Sequence, residues 1–233
     1  VNQSGTPVDF SWLDKASTLV QTFFGGNELG NGLADVLFGK VNPSGKLPLT
    51  FGKRLEDNPS FHSFGITSDT PGKVVYGEGI YVGYRHYDRA NLAPAFPFGY
   101  GLSYTSFELS HLQVSPVSAN GDCKVSFSIR NTGKMDGAEV AQVFVAAPSD
   151  GSRITSPVKE LKGFEKVTLK AGETKTVEVQ LTREAWSYWD EQYAKWIAPK
   201  GVYTVLVATS SAEADIKLRG EAKVAKEIRW LGL

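Results

Sequence analysis

The stretch KVSFSIRNTGKMDGAEVAQVFVAAP, residues 124–148, decides the fold of the second half of the chain. Apolar and polar side chains alternate on both sides of NTGKMDG, which has the glycine, asparagine and aspartate content of a turn. Such alternation is typical of strands with one buried face. The segments TKTVEVQLT, YAKWIAP and GVYTVLVATS repeat it at short intervals. Short strands separated by turn signals predict an antiparallel β-sandwich over residues 105–233.

Residues 1–104 have a different pattern, that of a mixed α/β unit with a linker beginning near residue 89. STLVQTFFGG, residues 17–26, is a short apolar run before two glycines and predicts a buried strand. NELGNGLADVLFGK predicts a helix with Asn27 as its N-cap and Gly39 at its end. The apolar face of this helix consists of Leu29, Leu33, Val36 and Leu37. The fold class is therefore α/β plus all-β, and the α/β part is too short to close a doubly wound sheet by itself.

EGIYVGYRHYD, residues 78–88, combines tyrosines, an arginine, a histidine and two carboxylates in one short stretch. Alternation favours a strand here, although the spacing of Tyr81, Tyr84 and Arg85 also suits a helical turn. The polar residues 56–73, which carry proline and glycine, predict a loop before it.

Two functional interpretations of this stretch are open. Its rings can seal one domain against its neighbour, because aromatic side chains bury large areas. Salt bridges of Glu78 with Arg85 and of Asp88 with Arg89 would then neutralise its charges locally. In the alternative, a ring or the arginine reaches the rim of a sugar pocket, and Trp12 is a comparable candidate. We favour the interdomain wall.

Composition excludes several classes of function. The chain has 25 basic and 25 acidic side chains and no net charge, so neither nucleic acid nor an anionic membrane is indicated as a partner. GGNELGNGLADV lacks a complete dinucleotide-binding GxGxxG motif. The histidines, His62, His86 and His111, have no metal-ligand spacing. The single cysteine, Cys123, excludes an internal disulfide, permits either a cytosolic or a secreted protein, and is predicted to be a small buried residue.

Carboxylate pairs are the remaining catalytic possibility. Glu28, Asp35, Glu78 and Asp88 all lie in residues 1–104. Glycoside hydrolysis with retention needs two carboxyl groups about 5 Å apart, one as nucleophile and one as acid/base. The sequence does not show which two of them meet, and for Asp35 we expect solvent or a neighbouring lysine as the partner.

Long motifs in a fixed order carry a resemblance to a known family. GGNELGNGLADVLFGKVNPSGKLPLTF, YGEGIYVGYRHYD and FPFGYGLSYTSFELS resemble the C-terminal half of glycoside hydrolase family 3 enzymes, the fungal β-glucosidases above all. VSFSIRNTGKMDGAEVAQVFV, PVKELKGFEKVTLKAGETKTVEVQL and YWDEQYAKWIAPKGVYTVLVATSS resemble the fibronectin type III-like domain that ends many members. The resemblance covers nearly the whole chain.

The resemblance implies that residues 1–104 are the C-terminal portion of the family's α/β sandwich domain. It implies a retaining, exo-acting β-glucosidase without metal or cofactor, acting on small β-glucosides or oligosaccharides. The nucleophile, an aspartate in a barrel domain, and the acid/base glutamate would both precede Val1, so no catalytic residue is expected in this chain. The expected partner is that upstream part, as a separate chain or the same polypeptide. The rim candidates for substrate binding are Trp12, Glu78, Tyr84 and Arg85.

Alternatives within and outside this class stay open. A β-xylosidase or another exo-acting member would share these motifs, and a non-catalytic binding or structural fragment is the alternative from another class. No exposed stacking array is evident in the sandwich strands, so we expect the sandwich to pack and stabilise rather than to bind sugar. The sequon at Asn2 lies in a predicted strand, where we do not expect a glycan. The ending KEIRWLGL predicts a last strand and a natural C-terminus.

Overall fold

The computed structural model describes residues 1–5, 8–63, 75–148 and 156–232. Within these ranges ten strands form three antiparallel sheets. Their bounds are β1 Phe107–Val114, β2 Cys123–Asn131, β3 Gly137–Ala146, β4 Glu160–Leu169, β5 Thr174–Leu181, β6 Tyr188–Asp190, β7 Lys195–Ala198, β8 Gly201–Ala208, β9 Ile216–Val224 and β10 Ile228–Trp230. The strand orders are β1-β2-β5, β4-β3-β8-β9 and β10-β7-β6.

The first two sheets form the predicted sandwich. In β2 the side chains of Cys123, Val125, Phe127 and Ile129 are buried, and the residues between them are more exposed. Because side chains alternate between the two faces of a strand, this pattern places one complete face of β2 in the core. Cys123 is 1% exposed, as predicted, and burial raises the pKa of its thiol.

Trp186 is the largest fully buried side chain of the core. It lies in a short 3-10 helix, Arg183–Trp186, and its indole Nε1 donates a 2.8 Å hydrogen bond to the Gly121 carbonyl. The Tyr203 hydroxyl donates to the Trp186 carbonyl at 3.0 Å. The indole N–H and the Tyr203 hydroxyl are thus hydrogen-bonded inside the core, where an unpaired polar group would destabilise the fold. The predicted last strand is confirmed as β10.

Residues 1–104 contain little regular structure in the described ranges. The predicted helix is α1, Leu29–Leu37, and Gly39 at φ +73° follows its end as expected. The N-cap is Glu28 rather than Asn27, and the Glu28 carboxylate accepts a 2.6 Å hydrogen bond from Asn31. Among the described helices, none has the length and apolar character that crossing a membrane requires.

The buried strand predicted over residues 17–26 is not formed. Gln21 makes a parallel bridge with Asn2, and among the described residues the ladder extends no further at this point. A buried strand needs a continued ladder and a covered face, whereas Phe24 is 84% exposed. Part of the loop predicted over residues 56–73 lies outside the described residues, and Leu55–Asp57 is a 3-10 helix.

EGIYVGYRHYD is a turn followed by a helix, so the strand prediction is wrong. The helix is α2, Tyr84–Ala90. Gly79 and Gly83 have φ angles of +57° and +55°, and such angles interrupt an extended strand. Of the three residues with helical spacing, Tyr84 and Arg85 lie in α2 and Tyr81 precedes it; α2 ends at Asn91 in the left-handed conformation.

Candidate functional site

Helix α2 packs on the outer face of the four-stranded sheet. The Tyr84 ring stands edge-on to Phe144, with 5.7 Å between ring centroids, and lies 5.3 Å from the Phe98 ring. The Leu161 backbone N–H donates a 2.8 Å hydrogen bond to the Tyr84 hydroxyl. Phe144 and Leu206 beneath are 0% and 4% exposed. Burial also raises the pKa of Tyr84. Tyr84 thus anchors residues 1–104 on the sandwich.

Two ion pairs flank this anchor and join α2 to the start of β4. Lys159 Nζ lies 2.6 Å from Asp88 Oδ2, with side chains 4% and 19% exposed. Arg85 Nη2 lies 3.2 Å from Glu160 Oε1. Burial raises the pKa of Asp88, and the hydrogen bond from Lys159 opposes that rise. Both pairs cross from residues 1–104 to the sandwich.

The local salt bridges predicted from the sequence are therefore wrong. Arg85 and Asp88 are three residues apart on a helix, so they share a face, and that face meets β4. Glu78 lies partly exposed in the turn before α2. The Arg89 guanidinium instead lies 4.0 Å from the centroid of the Tyr81 ring, in a cation–π contact.

A third contact between residues 1–104 and the sandwich joins the buried side-chain amide of Gln142 to Gly99. Gln142 of β3 is 3% exposed, and its Nε2 donates hydrogen bonds to the carbonyls of Gly99 at 3.1 Å and Thr209 at 2.9 Å. Gly99 has φ +78°, and a Cβ there would lie 2.2 Å from Gln142 Oε1. Glu139, three residues before Gln142 on β3, forms a further ion pair across the junction. Its Oε1 lies 2.6 Å from Lys46 Nζ.

Gly99→Ala is expected to lower the melting temperature well beyond the cost of backbone strain. Gly172→Ala is the matched control, because Gly172 has the same φ of +78° but open space where a Cβ would be. Strain alone costs about 1–2 kcal/mol; Gly99→Ala also displaces Gln142. Calorimetric melting of both variants gives the difference, and equal melting temperatures would show that the Gln142 contact is unimportant.

The four rim candidates occupy three places in the structure, and Glu78 is in the turn before α2. Tyr84 and Arg85 lie in the junction described above. Trp12 is 39% exposed and its ring lies 5.6 Å from Phe10, in a separate aromatic cluster that includes Phe51 and Phe96. Asp35 pairs with Lys40 at 3.0 Å, as expected. The described residues contain no group of three or more His, Cys, Asp or Glu side chains that could hold a metal ion.

Residues 1–104 also present a large exposed apolar surface. Helix α1 has no fully buried residue, although one of its faces is apolar. Phe24 and Phe38 are 84% and 89% exposed, and Leu37 is 52% exposed. Exposed apolar side chains on this scale are typical of surfaces that contact another protein segment.

Comparison with known proteins assigns the two units. Residues 1–84 match the glycosyl hydrolase family 3 C-terminal domain, and residues 139–211 match the fibronectin type III-like domain. These matches define a glycoside hydrolase architecture. The chain belongs to glycoside hydrolase family 3, as the sequence motifs indicated.

Relatives and solved structures agree with this assignment. The chain is 50% identical over 240 residues to the probable beta-glucosidase I of Aspergillus fumigatus, with 100% of this chain and 28% of that protein covered. It resembles the structure of the Kluyveromyces marxianus beta-glucosidase in complex with glucose, with a TM-score of 0.90, 49% identity, and coverage of 100% of this chain and 27% of that one. The Thermotoga neapolitana beta-glucosidase 3B in complex with glucose gives a TM-score of 0.90 at 40% identity, covering 99% and 31%. The chain thus spans less than a third of the length of these relatives.

Proposed function

We propose that the chain is the C-terminal portion of a retaining, exo-acting β-glucosidase that removes terminal non-reducing β-D-glucosyl residues. The observation that carries the proposal is the alignment of the whole chain, at 50% identity, with part of proteins named beta-glucosidase. We place the boundary between the α/β portion and the fibronectin type III-like domain at residues 104 and 105. The first sandwich strand beginning at Phe107 supports this boundary.

The catalytic carboxylates, in this proposal, lie in parts of the enzyme outside these residues. The nucleophile attacks the anomeric carbon while the acid/base protonates the glycosidic oxygen, and the aglycone leaves. The resulting glycosyl-enzyme is hydrolysed by water that the same acid/base deprotonates. Within this chain Asp35 and Asp88 are engaged by lysines, which supports structural roles for both.

The chain's own contribution is to cover and position the rest of the enzyme. The apolar face of α1 and the exposed Phe24 and Phe38 supply a surface for the upstream α/β portion and the barrel. The anchor at Tyr84 and its flanking ion pairs fix the fibronectin type III-like domain against that unit. Trp12 and Glu78, which are solvent-accessible, remain our candidates for the pocket rim, whereas the contacts of Tyr84 and Arg85 favour the interdomain wall.

Turnover of chromogenic glycosides tests the proposed function. The full-length protein that carries this chain is expected to hydrolyse an aryl β-glucoside with a higher kcat/KM than the matching β-xyloside, and the 233 residues alone are expected to be inactive. Asp35→Asn in the full-length protein should retain kcat, because Asp35 is paired with Lys40 and is not a proposed catalytic group. Activity of the isolated chain, or loss of kcat in Asp35→Asn, would contradict the proposal.

A further inference from the structure

Three tryptophans lie side by side across the small sheet. Strand register places Trp196 of β7 directly opposite Trp189 of β6 on one side and Trp230 of β10 on the other. The centroids of Trp189 and Trp196 are 5.7 Å apart, and those of Trp196 and Trp230 are 6.2 Å apart with nearly parallel rings. We call these three residues the tryptophan ladder. No exposed stacking array is evident from the sequence of the sandwich strands, because strand pairing assembles the ladder.

The two ends of the ladder have different surroundings. Trp230 packs against the sandwich core, and the Arg183 guanidinium lies 4.6 Å from the centroid of its ring. Trp189 is on the opposite edge strand of the sheet and is 45% exposed. Trp230 and Trp196 therefore support the third ring, Trp189, which is open to solvent. Aromatic side chains dominate the energetics of binding surfaces when they are presented in this way.

An exposed, braced indole matches one face of a pyranose ring. The face of an aromatic ring carries partial negative charge, and the axial C–H groups of a β-linked glucose carry partial positive charge, so the two faces stack. Hydroxyls around the sugar need polar neighbours, and the turn between β6 and β7 carries the exposed Glu191 and Gln192 close in sequence to Trp189. The chemistry of the site is thus apolar at its centre and polar at its margin, as in carbohydrate sites.

We propose that the tryptophan ladder is a secondary binding site for β-linked glucose polymers, with Trp189 as the stacking residue. The proposal rests on the proposed function in one respect: a β-glucosidase would gain from holding β-glucan chains near its active site. This site would add affinity for the polymer and leave hydrolysis of small glucosides unchanged.

The size of the surface argues against a protein as the occupant. A stable protein–protein interface buries about 800 Å² on each partner. Trp189 is half exposed and Trp196 and Trp230 are partly buried, so the ladder exposes a small fraction of that area. One or two sugar rings fit this area, whereas a second copy of the chain would need a far larger apolar surface.

Affinity electrophoresis of the full-length protein tests the proposal, with a soluble β-glucan in the gel and dextran, an α-linked polymer, in the control gel. β-Glucan is expected to retard the unmodified protein and dextran is not. Trp189→Leu keeps apolar bulk but removes the aromatic face, and it should weaken the apparent affinity about tenfold, equivalent to about 1.4 kcal/mol. Trp189→Phe keeps a ring and should retain most of the retardation. Phe164→Ala is the control, because Phe164 of β4 is 64% exposed and lies outside the ladder.

The outcomes separate this proposal from the proposed function. Retardation that Trp189→Leu abolishes and Phe164→Ala preserves, with unchanged kcat/KM on an aryl β-glucoside, supports the site. An active enzyme that β-glucan does not retard, or that Trp189→Leu leaves equally retarded, overturns the site but not the β-glucosidase function. A change of oligomeric state in Trp189→Leu without loss of glucan binding would assign the ladder to a protein interface. An enzyme inactive on β-glucosides that still binds β-glucan through Trp189 would overturn the function and keep the site.

Discussion

Asp88→Ala is expected to destabilise the protein by about 3–5 kcal/mol, because it leaves a buried ammonium without its carboxylate. The Lys159 side chain is 4% exposed, and its Nζ lies 2.6 Å from Asp88 Oδ2. Removal of one partner exposes the full cost of desolvating the other charge. Scanning calorimetry of the full-length protein should show the transition that includes the sandwich at a clearly lower temperature.

The control for this variant is an ion pair on the surface. Lys124 and Glu178 are 3.1 Å apart across β2 and β5, with side chains 51% and 58% exposed. Glu178→Ala should cost at most about 1 kcal/mol, since water screens such a pair. The double variant Asp88→Leu with Lys159→Met should recover most of the lost stability, because it removes both charges together. Equal melting temperatures for Asp88→Ala and Glu178→Ala would contradict the interdomain role of the buried pair.

Tyr84→Ala is expected to lower stability by about 3 kcal/mol and to leave KM for an aryl β-glucoside unchanged. The substitution removes the ring that packs on Phe144 and Phe98 and leaves a cavity between α2 and the sheet. It also leaves the Leu161 N–H without its acceptor. Thermal melting and steady-state kinetics of the same preparation give both quantities.

Tyr84→Phe separates the ring from the hydroxyl. The phenylalanine keeps the packing and loses the 2.8 Å hydrogen bond from Leu161, so the expected cost is about 1–3 kcal/mol for the unpaired donor. A Tyr84→Ala variant that melts normally but has a raised KM would instead place Tyr84 at the rim of the sugar pocket and refute the wall.

The strands of the sandwich could be predicted because the sequence pattern that determines each strand lies within the strand itself and its adjoining turn. Alternation in β2 and β3 and the turn between them determine which residues face the core, and burial of Val125, Phe127 and Ile129 follows from that pattern. The helix α1 and Gly39 at its end were readable for the same reason. The structure of residues 17–26 could not be predicted in this way. A buried strand forms only where other strands pair with it and another layer covers its face, and its own sequence shows neither.

The junction could not be predicted from local sequence. Arg85 and Asp88 have acidic or basic neighbours close by, but Glu160 and Lys159 are their partners, and only the packing of α2 on β4 brings them together. The tryptophan ladder is similar, because Trp230 is distant in sequence from Trp189 and Trp196 and joins them through strand register. Neither the pairing of α2 with β4 nor this register is encoded in a short motif.

The most direct test of the account is to trap the glycosyl-enzyme of the full-length protein with a fluorinated β-glucoside and to locate the label by peptide mapping. The account predicts a single labelled aspartate in a peptide outside the 233 residues of this chain. A label on a carboxylate within them, such as Asp35 or Glu78, would contradict the claim that this chain supports catalysis without supplying the nucleophile.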